Sequence, residues 1–367
     1  MHFTISREAL LPALQLVAGV VERRQTMAVL SNILLVLQGQ ELSLTGTDTE
    51  VELVGRVTLD QPGESGEITV PARKLMDICK SLPTDAQLNI ELDDHRLVIK
   101  SGRSQFTLTT LPAADFPSVE ESAGSLMLNI EQKKLRHLIE RTSFAMAQQD
   151  VRYYLNGLLL EVRSGQLRAV ATDGHRLAMC EVDTGVDRND EHQIIVPRKG
   201  VLELARLMSS DSEHVNLVFG SNHIRATTPN FTFTSKLVDG KFPDYERVLP
   251  QNSSKLVTAN RLGLKDALTR ASILSNEKYR GIRLDLENNL LRIEANNPEQ
   301  EQAKEEVAVE YLGEPLNIGF NVSYLLDVLN VMTEEQVVLR MADANSSTLL
   351  QEASNANSSY VVMPMRI

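Results

Sequence analysis

Three stretches decide the fold: SNILLVLQGQELSLTGTD (31–48), NGLLLEVRSGQLRAVATD (156–173) and RGIRLDLENNLLRIEANN (280–297). Each alternates apolar and polar residues, turns at a Gly or Asn, and alternates again. That pattern is the signature of a β-hairpin with one buried face. Leu42, Leu167 and Leu291 fall in one column, 125 and then 124 residues apart, and Asp48, Asp173 and Asn297 fall in another. A spacing held across several columns marks internal repetition.

A second set follows at the same spacing: ITVPARKLMDICKSL (68–82), IIVPRKGVLELARLM (194–208) and IGFNVSYLLDVLNVM (318–332). Each reads as a short apolar strand leading into a helix of about three turns. Pro71 and Pro197 stand at the helix entry, where a missing N–H costs nothing. LPAADFP (111–117) and LVDGKFP (237–243) repeat likewise, and the same spacing leads from 237 to Val361 in the closing VVMPMRI. A further helix opens each copy, near 7–18, 132–142 and 260–270. The expected fold is α+β, with three tandem copies of one domain spanning 1–125, 126–252 and 253–367. The boundaries fall in the polar stretches 117–125 and 249–255, and six helices lie on a β-rich frame.

Composition sets the class. The chain has 367 residues, 42% hydrophobic and 23% charged, which suits a globular protein of two or three domains. Cys79 and Cys180 are isolated, and no CxxC or HExxH occurs, so no metal or cofactor is expected. Reduced, core-packed thiols fit a cytoplasmic location. The apolar run 9–21 is flanked by Arg7-Glu8 and Glu22-Arg23-Arg24. It is too short to span a bilayer, so it reads as an amphipathic helix burying Leu10, Leu14 and Val17, kinked at Pro12.

The net charge of −12 argues against a surface that grips nucleic acid everywhere. The windows 7–18, 72–82, 132–142, 198–208, 260–270 and 322–332 nevertheless hold 14 Lys and Arg against 6 Asp and Glu. This surplus of eight leaves −20 on the rest. Basic helices on an acidic body point to one surface facing a polyanion. A helix of eleven residues is roughly 16 Å long, a length of duplex carrying about ten phosphates.

TDGHRLA (172–178), DVRYYLNG (150–157), ILSNEKYRG (273–281), ANNPEQE (295–301) and YVVMPMRI (360–367) resemble the β subunit of bacterial DNA polymerase III, the sliding-clamp family, and the resemblance runs from Met1 to Ile367. It implies a non-enzymatic homodimer joined head to tail into a ring, helices lining a central hole and antiparallel sheets outside, encircling double-stranded DNA without reading its sequence. Its implied partners are the DNA polymerase III α subunit, the clamp loader, and other polymerases and repair proteins carrying a clamp-binding peptide, with no membrane.

Residue by residue, the resemblance places Arg24, Arg73, Gln149, Tyr153, Tyr154 and Lys199 against DNA. It implies a dimer interface of Phe106 and Leu108 against Ile273 and Leu274, with Lys74, Arg96 and Arg103 facing Glu299, Glu301 and Glu305. It implies a peptide groove at Leu155, Thr172, Gly174, His175, Arg176, Leu177, Pro243, Arg247, Val248, Asn321, Tyr324, Ser347, Val361, Val362, Met363, Pro364, Met365 and Arg366. Tyr279 and Asn345 depart from the family's usual Phe and aliphatic residue.

Two rivals remain on the residues alone. His175 beside Asp173 could suggest acid–base chemistry, but no nucleophile motif accompanies them and Asp173 already belongs to the repeat. No Walker motif occurs, so any ATP used in loading belongs to a partner. A repeat-built scaffold that binds proteins without encircling DNA would explain the repeats and the tail; the basic helices argue against it.

Overall fold

The computed structural model describes residues 1–22, 27–117, 119, 124, 126–185, 191–251 and 253–366. One order of elements occurs three times. The first copy runs β1 (His2–Ser6), α1 (Arg7–Ala18), β2 (Asn32–Gln38), β3 (Glu41–Thr47), β4 (Val51–Thr58), β5 (Gly66–Pro71), α2 (Ala72–Ser81), β6 (Gln87–Asp93), β7 (Arg96–Ser101) and β8 (Ser104–Thr109). The second runs β9 (Leu126–Glu131), α3 (Gln132–Thr142), β10 (Gly157–Arg163), β11 (Gln166–Thr172), β12 (Arg176–Asp183), β13 (His192–Pro197), α4 (Arg198–Leu207), β14 (His214–Phe219), β15 (His223–Thr227) and β16 (Phe231–Lys236). The third runs β17 (Lys255–Asn260), α5 (Arg261–Ser272), β18 (Gly281–Glu287), β19 (Leu290–Asn296), β20 (Gln302–Glu310), β21 (Leu316–Asn321), α6 (Val322–Val331), β22 (Gln336–Met341), β23 (Thr348–Glu352) and β24 (Ser358–Val362).

Alternation explains the strands. In β2–β3, Leu35, Leu37, Leu42 and Leu44 are buried while Gln38 and Glu41 face solvent. The β10–β11 hairpin turns through Ser164 and Gly165, both at positive φ, as the tight turn matching strand twist requires. Helix α1 is capped by Ser6, whose hydroxyl accepts from the Ala9 N–H at 3.2 Å. The helix continues through Pro12 to Ala18, burying Leu10, Ala13, Leu14 and Val17.

The columns Asp48, Asp173 and Asn297 acquire a structural meaning. Each sits between the second and third strands of its hairpin set, and its side-chain oxygen caps that turn. Asp48 accepts from the N–H groups of Glu50 and Val51, Asp173 from those of His175 and Arg176, and Asn297 from that of Glu301.

In each copy the strands sort into two four-stranded groups, ordered β5-β2-β3-β4 and β1-β6-β7-β8 in the first. Groups of neighbouring copies then fuse. β4 pairs antiparallel with β16 over Val51–Gly55, giving an eight-stranded sheet, and β12 pairs with β24 over Arg176–Cys180 within a twelve-stranded one. The chain forms two compact units. One joins Met1–Lys133 to Lys199–Leu237 and holds the eight- and four-stranded sheets; the other joins Lys134–Arg198 to Val238–Ile367 and holds the twelve-stranded sheet.

Inside the second unit, α3 is fastened to β23 by a buried ion pair. Arg141 and Glu352 meet at 3.0 Å, with side chains 6% and 1% exposed. Glu352 also accepts from the Thr333 and Glu334 N–H groups, and Arg141 donates to the Thr333 hydroxyl. Burial alone would raise the Glu352 pKa, yet these donors hold it below the usual value. Removing one partner strands a buried charge, so Glu352→Ala should cost about 3–5 kcal/mol. The exchange Arg141→Met with Glu352→Leu should cost much less. Urea unfolding followed in the second unit reads both.

Candidate functional site

The second unit carries an apolar groove. One face of its sheet presents Ile195 from β13, Leu159 from β10, Val170 from β11, Leu177 from β12 and Val361 from β24; Leu159 lies opposite both Ile195 and Val170, and Leu177 opposite Val361. Residues 238–249 cross this face, seating Phe242 and Tyr245, with Val238 and Leu249 beside them. Where that cover ends, a pocket open to solvent remains. Its walls are Leu155, Leu177, Pro243, Val248, Val361 and Met363. Arg152, Tyr154, Thr172, Gly174, Arg176 and Tyr245 complete the lining.

The turn capped by Asp173 shapes the rim. Gly174 has φ +88°, and a Cβ there would lie 3.0 Å from the Arg152 guanidinium, so glycine suits both conformation and space. Arg152 in turn holds Asp150, whose pKa falls to about 2, chiefly through those hydrogen bonds. Arg176 is wholly engaged. It donates to Asp173 at 3.1 Å, to Asp327 of α6 at 2.5 Å and to the Phe144 carbonyl at 2.9 Å, and it lies over the Tyr324 ring at 4.6 Å. The closing segment continues β24: the Met363 N–H donates to the His175 carbonyl and that of Met365 to Gly319, both at 2.9 Å.

Of the groove residues named from sequence, the pocket gathers Leu155, Thr172, Gly174, Arg176, Leu177, Pro243, Val248, Val361 and Met363. His175 lies outside it, its ring 6.5 Å from Tyr324. Asn321 caps α6, Val362 is buried in the ladder, and Arg247 is exposed and paired with Asp244. Ser347, Pro364 and Met365 are half-buried and Arg366 is exposed, none of them lining the pocket. Sequence reasoning missed Arg152 and Tyr245, and it put Tyr154 elsewhere. The aromatic pair in KFPDY (241–245) was the available signal for Tyr245.

Tyr245 is buried, donating to Glu161 at 2.5 Å and accepting from Arg168 at 2.8 Å. Burial first, and then the bond to Glu161, push its pKa up to about 12.

The residues expected to face DNA are placed differently from one another. Arg24 lies outside the described residues. Arg73, Gln149 and Tyr153 are exposed, Tyr153 by 57%. Tyr154 is half-buried in the pocket lining, because the short helix 153–155 turns consecutive tyrosines to different sides. Lys199 is half-buried and bonded to Glu22 and Asp48, so its charge is matched within the chain. Of the fourteen cations in the six helix windows, at least seven bond groups of the chain itself: Arg7, Lys134, Arg141, Lys199, Arg206, Arg261 and Arg270.

At the expected interface, β8 carries Phe106 half-buried and Leu108 buried, with Lys74, Arg96 and Arg103 exposed. Ile273 is 74% exposed beside half-buried Leu274. Glu299 is exposed; Glu301 accepts from its own Asn297 at 2.6 Å; Glu305 makes a two-point bond with its own Arg270, which lowers its pKa. Tyr279 and Asn345 are exposed. Among the described residues no group of His, Cys, Asp and Glu could hold a metal ion.

The geometry is that of a tandem-repeat protein carrying an open apolar groove, lined in part by Val361 and Met363. Three family models match in series: the N-terminal domain of the DNA polymerase III beta subunit over residues 1–120, the central domain over 129–244 and the C-terminal domain over 246–366. The beta sliding clamp of Pseudomonas putida is 69% identical and that of Escherichia coli 51%, each over 367 residues and all of both chains. The crystal structure of the Pseudomonas aeruginosa DNA polymerase III subunit beta, 68% identical, superposes over both whole chains with a TM-score of 0.99. The chain belongs to the DNA polymerase III beta subunit family. It is a DNA sliding clamp of three tandem α+β domains, a processivity factor with no catalytic site of its own.

Two outcomes follow from the groove. Tyr154→Ala should weaken binding of a clamp-binding peptide more than tenfold, as loss of a wall aromatic does, while retention on circular DNA stays unchanged. Peptide titration beside a retention assay checks this, and the opposite split would return Tyr154 to the DNA face. Tyr245 has a folded pKa above its unfolded value of about 10. Its contribution to stability is therefore complete below pH 10 and lost as pH rises towards 12. Unfolding midpoints across that window should fall less steeply in Tyr245→Phe.

Proposed function

We propose that two copies close head to tail into a ring around duplex DNA, with β20 of each copy pairing with β8 of the other. The observation that carries this is an unmatched pair of edges. β4 of the first copy pairs with β16 of the second, and β12 of the second with β24 of the third. By the same rule β20 calls for β8. β8 is the last strand of its sheet, and β20 meets β17 only through Thr258–Glu310 and Ala259–Val309, leaving most of its length open. Phe106 and Leu108 would then face Ile273 and Leu274. Lys74, Arg96 and Arg103 would face the acidic turn of Glu299 and Glu301, with Glu305 contributing through Arg270. The contact is heterologous and closes after two copies if the rotation allows.

The hole would take DNA without base reading. Arg24, Arg73, Gln149 and Tyr153 would meet phosphates or the groove edge, with Lys199 and Tyr154 contributing less, since both are engaged. The pocket suits an apolar side chain from a short peptide, carried by the polymerase III α subunit, the clamp loader and other polymerases or repair proteins. Its flanking residues would run over His175, Asn321, Tyr324, Ser347 and the 362–366 segment, where Met side chains adapt to several partners. The domains would meet near 125–126 and 252–253. The expected compartment is the cytoplasm; no described helix is long and apolar enough to cross a membrane.

The test is topological. The protein is loaded by a clamp loader and ATP onto nicked circular plasmid, the complex is isolated, and half is linearised. Retention on circles with loss from linear DNA is the expected result. Equal retention on both would mean ordinary electrostatic binding and would remove the ring.

A further inference from the structure

Two walls of the pocket, Pro243 and Val248, stand on the segment 239–249, which crosses the sheet without joining it. The main chain is tied to β13 just before, where the Val238 N–H donates to the Ile195 carbonyl at 2.9 Å. Beyond that point no main-chain bond between the segment and the sheet occurs among the described residues. The segment is therefore placed by side chains. Phe242 and Tyr245 are seated in the apolar cluster, and the Tyr245 hydroxyl reaches through it to the polar pair Glu161 and Arg168, donating to the first at 2.5 Å and accepting from the second at 2.8 Å. Glu246 adds ion pairs to Arg163 at 3.2 Å and Arg168 at 3.6 Å, but it is 55% exposed, and exposed pairs contribute little. Glu161 is buried, so the hydroxyl bond to its carboxylate is the strong polar tie.

The repeat shows what the hydroxyl adds. In the second copy Gln193, Glu161, Arg168 and Glu181 lie opposite one another on β13, β10, β11 and β12, bonded as a ladder: Gln193 donates to Glu161 at 2.5 Å, and Arg168 donates twice to Glu181, at 2.8 and 3.0 Å. The third copy carries the same ladder as Asn317, Asp285, Arg292 and Glu306, with Asn317 donating to Asp285 and Arg292 to Glu306. That ladder forms with no tyrosine on it, and its Arg292 and Glu306 are exposed. In the first copy Val36 and Ser43 replace the carboxylate and the arginine, and Val119 takes the place of Tyr245 at the spacing that relates LPAADFP to LVDGKFP. The ladder thus stands without the hydroxyl, whereas the hydroxyl occurs only where the ladder lies under a covering segment.

Resting on the peptide-binding reading above, we infer that the Tyr245 hydroxyl latches the Pro243–Val248 wall to this ladder and thereby sets how large an apolar side chain the pocket accepts. Tyr245 is the first residue of the short helix Tyr245–Val248, so the bond that fixes its ring also fixes Val248 one turn on. Glu161 and Arg168 line no part of the pocket; they are positioning residues that act through Tyr245. An unlatched wall would yield to a larger side chain and hold a smaller one less closely, so the latch is a determinant of specificity more than of affinity.

The test titrates the whole chain with two forms of a clamp-binding peptide from the polymerase III α subunit, one with leucine as its apolar anchor and one with that leucine enlarged to tryptophan. The wild type should prefer leucine, and Tyr245→Phe, which keeps the ring and removes the hydroxyl, should cut that preference about tenfold, the equivalent of one hydrogen bond to a charged group. Glu161→Gln should move the ratio in the same direction, and the double variant should go no further than Tyr245→Phe alone, since both act through one bond. A preference unchanged in both single variants, whatever happens to their unfolding temperature, overturns the latch and leaves the hydroxyl a structural group only. A wild type that binds neither peptide overturns the groove reading beneath it.

Discussion

A strand at the edge of a sheet exposes N–H and C=O groups that must be matched by another strand or by water. In this chain the matching of edges is the constraint on which the rest depends. Each copy makes two short sheets of four strands, and alone each would present a long edge. Fusing β4 to β16 and β12 to β24 turns those edges into five-residue ladders, so the copies are joined through main chain rather than through side chains alone. Backbone ladders are indifferent to residue identity. Three copies sharing few residues can therefore share one joint, and the repeat survives in topology where it has faded in sequence.

The groove is a by-product of the second joint. Bringing β24 alongside β12 places Val361 next to Leu177 and leaves the tail at the edge of the Asp173 turn. The apolar face so created is wider than residues 238–249 can cover, and the uncovered remainder is the pocket. Arg176 explains why the pocket keeps its shape. By bonding Asp173, Asp327 and the Phe144 carbonyl together, it ties the turn, α6 and the end of α3 into one wall. It is a framework residue at the rim more than a free donor.

The three-fold repeat, the hairpins and the helix entries at Pro71 and Pro197 were legible in the sequence, because period and turn chemistry are local. So was the column Asp48–Asp173–Asn297, although its cause, a side-chain cap on a turn, needed coordinates. What the sequence hid were engagements between distant residues. Arg141 meets Glu352 across 211 positions, and Lys199 meets Glu22 across 177. No spacing rule distinguishes an arginine that solvates a surface from one that neutralises a buried carboxylate. Tyr153 and Tyr154 differ for the opposite reason: adjacent residues in a tight turn diverge, and only the backbone decides which is covered.

The engagement of helix cations bears on how such a protein can slide. Each cation–phosphate contact adds affinity and salt dependence, and many of them would hold the protein in place on the duplex. With about half the helix cations bonded to the chain's own carboxylates and carbonyls, the number able to grip phosphates is correspondingly reduced. Retention must then come from enclosure, which needs no affinity. Enclosure moves the demand from the DNA face to the joints, since a ring is only as durable as its weakest ladder. Within the chain that demand is answered by the five-residue ladders that join β4 to β16 and β12 to β24.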